Sequence, residues 1–327
     1  MTLRIGIVGA GIMGEKVAVA AAALDGVTIT AVADLDAARA DALAATYDAT
    51  SHPDLAALLA AGTTDAIYLG LPHHLHADAC VAALDAGIHV LIDKPLCNTR
   101  DEADAILAAR DRSTAIAMVG FSYRFRAEWM RAQEWIASGR IGTVRLVADT
   151  IVEAQSRTPA WYWQAESGGG VLQLQSHHCF DRLRWLLDDA FVSVSARTST
   201  SASAAAGNAE DTAQVAALTA SGALIGIELG FARGYDGPSR ATTVIQGDLG
   251  HIVIDSAART AALFASDGGD TLDATDDDWM AREIATFVAA CRAARAVPPT
   301  ADDGAAALGA ALAARDSARA NGAWIEL

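Results

Sequence analysis

The sequence is poor in cysteine, in positive charge and in long apolar runs, and each shortage excludes something. Its four cysteines, Cys80, Cys97, Cys179 and Cys291, are scattered with no Cys-x-x-Cys pair. That argues against a zinc ribbon or a disulfide framework and for reduced thiols in a cytoplasmic protein. Lys and Arg total 24 against 40 Asp and Glu, for a formal net charge of −16. A chain of that sign does not bind nucleic acid or an anionic membrane non-specifically, and it must hold any anionic ligand with local donors such as helix N-termini. The alanine-rich stretches are broken by charges before they reach the length of a membrane span, and the N-terminus does not read as a signal peptide. With 327 residues, 52% of them hydrophobic, the chain has material for two cores and is not disordered.

Leu3 to Val8, LRIGIV, is a short apolar run followed by Gly9-Ala10-Gly11-Ile12-Met13-Gly14 and an alanine-rich helical stretch to Leu24. This places Gly-x-Gly-x-x-Gly between a strand and a helix, the context in which it cradles a dinucleotide. The first glycine makes the tight turn, the second lets the backbone approach a diphosphate, and the third lets helix and strand pack. A bare glycine-rich turn is the bland alternative. Against it, a second strand, Val27 to Ala33, ends in Asp34, twenty residues after Gly14. An acid there accepts hydrogen bonds from both ribose hydroxyls and repels a 2′-phosphate. Asp36 adds to the repulsion, and the nearest arginine, Arg39, is five residues on. The pattern predicts NAD as cofactor in preference to NADP, with Gly9, Gly11, Ile12, Met13, Gly14 and Asp34 among its contacts.

The stretch 67–97 is the centre of the sequence. Ile67 to Leu71 reads as a strand buried on both faces, stopped by Pro72; His76 to Ala86 reads as a helix closed by Gly87; Ile88 to Ile92 is a second buried strand running into Asp93-Lys94-Pro95. Strand, helix and strand of this length make a right-handed βαβ unit with parallel strands. Ligands bind beyond the carboxyl ends of such strands. Leu71, Pro72, His73 and His76 lie at one end, and Asp93, Lys94 and Pro95 at the other. Further helices at 36–46, 54–60 and 99–110, a short strand at 49–52 and a last one at 115–121 complete six parallel strands.

A strand ending in Pro, then His76, then Ala-Leu-x-Ala-Gly-x-His-Val, then acid-Lys-Pro resembles the Gfo/Idh/MocA oxidoreductase family. The family usually writes the last motif Glu-Lys-Pro; here Asp93 replaces the Glu. The resemblance implies a nicotinamide-dependent oxidoreductase acting on sugars or cyclitols. It also implies an α/β fold: an N-terminal Rossmann domain, residues 1–122, with a doubly wound parallel sheet, and a C-terminal α+β domain, residues 123–327, with a large open, mostly antiparallel sheet. Segment 139–145, GRIGTVR, resembles the family's hinge. Strand candidates at 143–152, 191–198, 210–219, 223–231, 240–246 and 250–255 would form five or six strands with helices on one side. The resemblance further implies that the uncovered face pairs with another subunit, in a homodimer or homotetramer. The small-residue segment 199–208 reads as a linker.

Gly168-Gly169-Gly170 leads into a helix whose His178 and Asp181 fall on one face. The family pattern here is an acid four residues before a histidine and another three after it. His178 and Asp181 match, but Leu174 stands where the upstream acid belongs. In many relatives that acid pairs with the histidine and raises its basicity; without it, His178 must be oriented by Asp181, Gln175 or the substrate. His177 reads as a neighbour of the base. A metal reading of the histidine pairs is set aside, since hydride transfer needs no metal. Trp161 can lie against the C–H face of a sugar. Trp163 aligns with a family tryptophan at the cofactor, although Gln164 replaces the arginine that usually follows. Arg124 points toward the same cleft, and Arg157 is a weaker candidate.

The reaction expected is hydride transfer between a secondary alcohol of a sugar or polyol and the nicotinamide. His178 would be the base and Lys94 the group that holds and polarises the hydroxyl, with exchanged roles as the alternative. The substrate contacts are then Lys94, Arg124, Trp161, Gln175 and His178. Two rivals are an NAD-dependent glycosidase using transient oxidation with no net redox change, and a sensor that binds NAD without chemistry.

Overall fold

The computed structural model describes residues 2–155, 160–165, 168–200 and 207–327. The chain divides into two compact units, Met1–Ser122 with Asp278–Ala305, and Tyr123–Asp277 with Ala306–Leu327.

The first unit holds a six-stranded sheet in the order β3-β2-β1-β4-β5-β6. Its strands are β1 Leu3–Val8, β2 Val27–Ala33, β3 Thr50–His52, β4 Ala66–Leu69, β5 His89–Asp93 and β6 Ala117–Gly120. All five pairings are parallel. The intervening helices are α1 Ile12–Ala22, α2 Ala37–Thr46, α3 Leu55–Ala61, α4 His76–Asp85 and α5 Arg100–Arg112. Continuous apolar runs buy burial on both faces, as the fully buried Ile7, Val32, Ile67, Leu69, Val90 and Ile92 show. Helix starts follow their caps. Asp36 accepts the N–H groups of Ala38 and Arg39, Asp54 that of Ala57, and Thr99 with Glu102 forms a capping box. The strand order reverses between β1 and β4, so Val8 and Leu69 are paired at the point where a doubly wound sheet opens a crevice.

The second unit holds a nine-stranded sheet, β14-β13-β12-β11-β7-β10-β9-β8-β15. Its strands are β7 Val144–Gln155, β8 Phe191–Ser199, β9 Thr212–Thr219, β10 Leu224–Arg233, β11 Arg240–Gly247, β12 Gly250–Asp255, β13 Thr260–Ala265, β14 Asp270–Asp273 and β15 Ile325–Glu326. Every pairing is antiparallel except β7 with β10. Helices α6 Ala127–Ala137 and α7 Val171–Leu187 pack on one face of it. In the C-terminal part, α8 Trp279–Ala293 packs on α1 in the first unit, and α9 Ala301–Arg319 runs from residues of the first unit into the second.

The fold class is the one expected, with differences in extent. The sheet has nine strands where five or six were read: β14 and β15 are short strands at its two edges, and β13, an inner strand between β12 and β14, was not read. Segment 278–305 belongs to the first unit and not to the second. The 139–142 turn, which resembled a hinge, joins α6 to β7 inside the second unit, and the chain leaves the first unit at Ser122. Most of the linker read at 199–208 lies outside the described residues. Of the two apolar runs weighed for the open face, Ile225, Ile227, Ile252 and Ile254 are buried, whereas Leu224 is exposed. The uncovered face also exposes Leu146, Val152, Val244 and Phe264.

One buried ion pair ties α7 to this sheet. Arg182 Nη2 donates to both Asp149 oxygens at 2.6 Å, and the Thr243 hydroxyl donates to Asp149 Oδ1 at 2.6 Å. The guanidinium lies 4.3 Å from the Tyr123 ring centroid and 4.7 Å from that of Trp129. Arg182→Met strands the Asp149 charge in a dry site and is expected to cost about 3–5 kcal/mol, whereas Arg182→Met combined with Asp149→Leu recovers most of that loss. Urea unfolding followed by tryptophan fluorescence checks both values.

Candidate active site

The glycine turn after β1 is shaped by close backbone approaches. A Cβ on Gly9, at φ +99°, would lie 2.2 Å from the Gly70 carbonyl oxygen, and one on Gly14 would lie 2.0 Å from that of Gly9. A Cβ on Gly11 would meet nothing within 4 Å. The first and third glycines are therefore required by packing, and the second borders open space at the N-terminus of α1. Asp34 closes the turn: its carboxylate accepts the Ala10 N–H at 2.7 Å and the Asp36 N–H at 2.8 Å. Two large apolar side chains stand out into solvent beside it, Ile12 at 74% and Leu35 at 87% exposure. Leu35 was not among the expected contacts; its signal in the sequence is an apolar residue directly after the acid that ends β2. Open space over Gly11, an acid at the end of β2 and two unburied apolar side chains fit a dinucleotide with a diphosphate over the helix end and an apolar base beside it.

The ends of β4 and β5 bring the other half of the first unit's residues to the same edge of the sheet. Pro72 opens a 3-10 turn, His73–Leu75, and His73 is buried. His76 is fully buried between the Leu71 and Pro95 carbonyls. Asp93 accepts the Tyr68 hydroxyl at 3.1 Å and the Lys94 N–H at 2.8 Å. Burial, and then Asp93 itself, push the Tyr68 phenol well above its ordinary pKa, so it stays a donor. Asp93 thus shapes the backbone that presents Lys94. The chain contains two lysines, Lys16 and Lys94, among its 24 basic residues. A sequence that otherwise uses arginine keeps a titratable ammonium at this strand end.

In the second unit the glycine run has a packing cause. A Cβ on Gly169 would lie 2.5 Å from the carbonyl oxygens of Trp161 and Tyr162, and one on Gly170 would lie 2.4 Å from the Glu210 carboxylate. Glu210 accepts the Val171 N–H with its backbone oxygen and the Leu172 N–H with its side chain, satisfying the first turn of α7. From Val171 to Leu183, His178 is the one residue of α7 that is not buried. Its ring meets the Tyr123 ring edge-on at 5.2 Å. His177 beside it is fully buried.

Several expected site residues of this unit have other engagements. Asp181 receives Arg124 Nε at 3.0 Å and Arg124 Nη2 at 2.5 Å. That buried pair commits two of the five Arg124 N–H groups to the helix and not to a ligand. Gln175 Nε2 donates to Glu153 Oε2 at 2.8 Å, so the amide beside Leu174 is tied to an acid of β7. Trp163 is buried edge-on against Phe231 at 5.9 Å, whereas Trp161 is half-buried and tilted 60° to Tyr162 at 4.5 Å. Tyr123 and Glu153 were missed by sequence reasoning, since neither stands in a motif and each acts through a partner distant in sequence. Arg157 lies outside the described residues.

Residues 3–121 match the oxidoreductase family with an NAD-binding Rossmann fold, and residues 129–253 match the Gfo/Idh/MocA C-terminal domain. The chain belongs to the Gfo/Idh/MocA oxidoreductase family. It is 31% identical over 325 residues to an inositol 2-dehydrogenase of Rhizobium meliloti (strain 1021), covering 96% of each chain. It is 29% identical over 318 residues to inositol 2-dehydrogenase 3 of Saccharopolyspora erythraea, covering 94% of this chain and 90% of the other. A crystal structure of a putative myo-inositol dehydrogenase from Sinorhizobium meliloti 1021 superposes with a TM-score of 0.86 at 28% identity over 99% of both chains. Levoglucosan dehydrogenase in complex with NADH and levoglucosan shares the fold, with a TM-score of 0.90 at 24% identity over 100% of this chain and 99% of the other. The first unit is accordingly an NAD-binding Rossmann domain, and the chain is an oxidoreductase.

Asp34→Ala removes both the tether on the glycine turn and the charge that disfavours a 2′-phosphate. It is expected to raise the Kd for NADH about ten-fold or more and to narrow the gap between NADH and NADPH. Fluorescence titration with both nucleotides measures the two effects.

Proposed function

We propose that this member of the family oxidises a secondary alcohol of a sugar or cyclitol with NAD. The reading rests first on Lys94, whose backbone N–H is held by Asp93 at the end of a parallel strand in the same sheet as the glycine turn. It is supported by the names of the relatives, inositol 2-dehydrogenases among them. Bound NAD supplies the hydride acceptor. Lys94 holds the substrate hydroxyl and polarises it. His178, whose ordinary pKa lies near neutrality, takes the hydroxyl proton as the carbon gives up its hydride.

Leu174 is buried at the position where the family pattern stated above has an acid. His178 therefore works without a carboxylate on the preceding turn, and the Tyr123 ring edge takes over part of its orientation. Exchange of the two roles, with Lys94 as base, is the alternative, and Gln175 and Trp161 complete the substrate contacts. Arg124 contributes through Asp181 and the helix that carries His178. The apolar side chains on the uncovered sheet face support a homodimer or homotetramer through that face. Among the described residues no helix is long and apolar enough to cross a membrane. Four free, buried cysteines suit a cytoplasmic enzyme.

An absorbance screen for NADH formation across inositols and sugars tests the reaction. Net NADH supports hydride transfer to free cofactor, and release of free sugar without NADH supports the transient-oxidation alternative. Lys94→Met is expected to lower kcat by about a thousand-fold or more, with a change of only a few-fold in the Kd for NADH. An unchanged kcat removes Lys94 from the reaction. His178→Asn is expected to lower kcat by about a hundred-fold or more and to abolish the acidic limb of the pH–rate profile.

A further inference from the structure

His76 makes two hydrogen-bond contacts that a neutral ring cannot both satisfy. Its Nδ1 lies 2.7 Å from the Pro95 carbonyl oxygen and its Nε2 lies 2.8 Å from that of Leu71. Both partners only accept. A neutral imidazole carries one N–H and one bare nitrogen, so it serves one carbonyl and sets a lone pair against the other. The imidazolium donates to both. The ring is fully buried on the first turn of α4, and it spans the residues that follow β4 and β5, the two strand ends that present His73 and Lys94.

The surroundings set opposing pressures on that charge. Burial lowers the His76 pKa from the ordinary imidazole value. The two carbonyls and the Asp93 carboxylate oppose that shift and Lys94 adds to it, and the net direction stays downward. From the turn after β4, the His73 ring meets it edge-on at 5.5 Å. On the α5 side, Glu102 and Asp104 act on Cys97. Within α4, burial pushes the Cys80 thiol to about 12, so it carries no charge. The ring is thus built for a cation in a place that makes the second proton easy to lose.

We propose that His76 is a positioning residue whose second ring proton decides whether the ends of β4 and β5 are both held. With the proton present, both carbonyls are bonded to one ring, and the segments carrying His73 and Lys94 are pinned to α4. When it leaves to solvent, no other bond is made or broken. The ring keeps one carbonyl, the other (Pro95, buried, or Leu71, part-buried) loses its donor, and that segment shifts. The grip is complete below the pKa of the ring and is lost as pH rises through it. The inference rests on the reading that these strand ends border the bound cofactor.

The test uses the full-length protein labelled with 15N-histidine, with the His76 ring assigned by its absence from His76→Gln. Both ring nitrogens are expected to be protonated at the acid end of the range in which the protein stays folded, one of them deprotonating as pH rises, below the ordinary imidazole value because burial outweighs the two carbonyls. The Kd for NADH is expected to rise about ten-fold with the same midpoint, the scale of one lost hydrogen bond to a charged donor. His76→Gln is expected to bind NADH at the weak level throughout and to lack that step. A ring that does not change protonation anywhere in the range overturns the proposal, as does a ring that titrates while the Kd does not follow. If His76→Gln does not fold, the ring is assigned from its contacts in the unaltered protein, and the two wild-type curves still decide. Neither readout needs turnover, so a failure to find an oxidisable sugar leaves them intact and is a separate result.

Discussion

The guanidinium of Arg182 governs the architecture of the second unit. It is stripped of water, faced by two aromatic rings and paired at 2.6 Å with Asp149. Desolvating such a cation costs several kcal/mol, and the cost is recovered only in the position where Asp149, Tyr123 and Trp129 all meet it. The helix is thereby held to one register on the sheet. His178 lies one turn earlier on the same side, and its ring touches the same Tyr123 that stacks on Arg182. Arg126 covers Tyr123 as well, 4.1 Å from the ring centroid. The order of the half-exposed imidazole is inherited from a buried ion pair, through one tyrosine.

The first unit solves a comparable problem with backbone. Its ligand is anionic and its chain is strongly negative, so the donors must be local. The glycine turn supplies them by bringing main chain to places where a Cβ would collide or project into the ligand's space. Acids are then used inwardly. Asp34 holds the turn, and Asp93 holds the backbone beneath Lys94. Both carboxylates spend acceptor capacity on neighbouring N–H groups, which ties the adjoining loops to the strand ends.

Much of this was legible from residues alone. The glycine turn at Gly9 to Gly14, the parallel strands of the 67–97 unit and the α7 helix after the Gly168–Gly170 run were each found by motif and period, because each depends on local geometry that a short stretch must encode. The capping box at Thr99 was legible for the same reason. The failures are of a different kind. β14 and β15 form only because β13 and β8 offer them an edge, and α8 packs on α1 after more than half the chain has intervened. The pairing of Arg124 with Asp181 was not foreseen either, because the two lie 57 residues apart in the chain.

The amino-acid sequence by itself determined the doubly wound sheet, the dinucleotide turn, an acid at the end of β2, and the placing of Lys94 after β5 and of His178 on α7. These follow from periodicity, from the conformational freedom of glycine and from the chemistry of single side chains. Only the tertiary structure decided how those side chains are engaged. Asp93 serves the backbone, Asp181 serves Arg124, Gln175 is tied to Glu153, and His76 stands between two acceptors. The reason is that a hydrogen bond or ion pair between residues far apart in sequence depends on distance and direction to within a fraction of an ångström, which no pattern of residue types along the chain records.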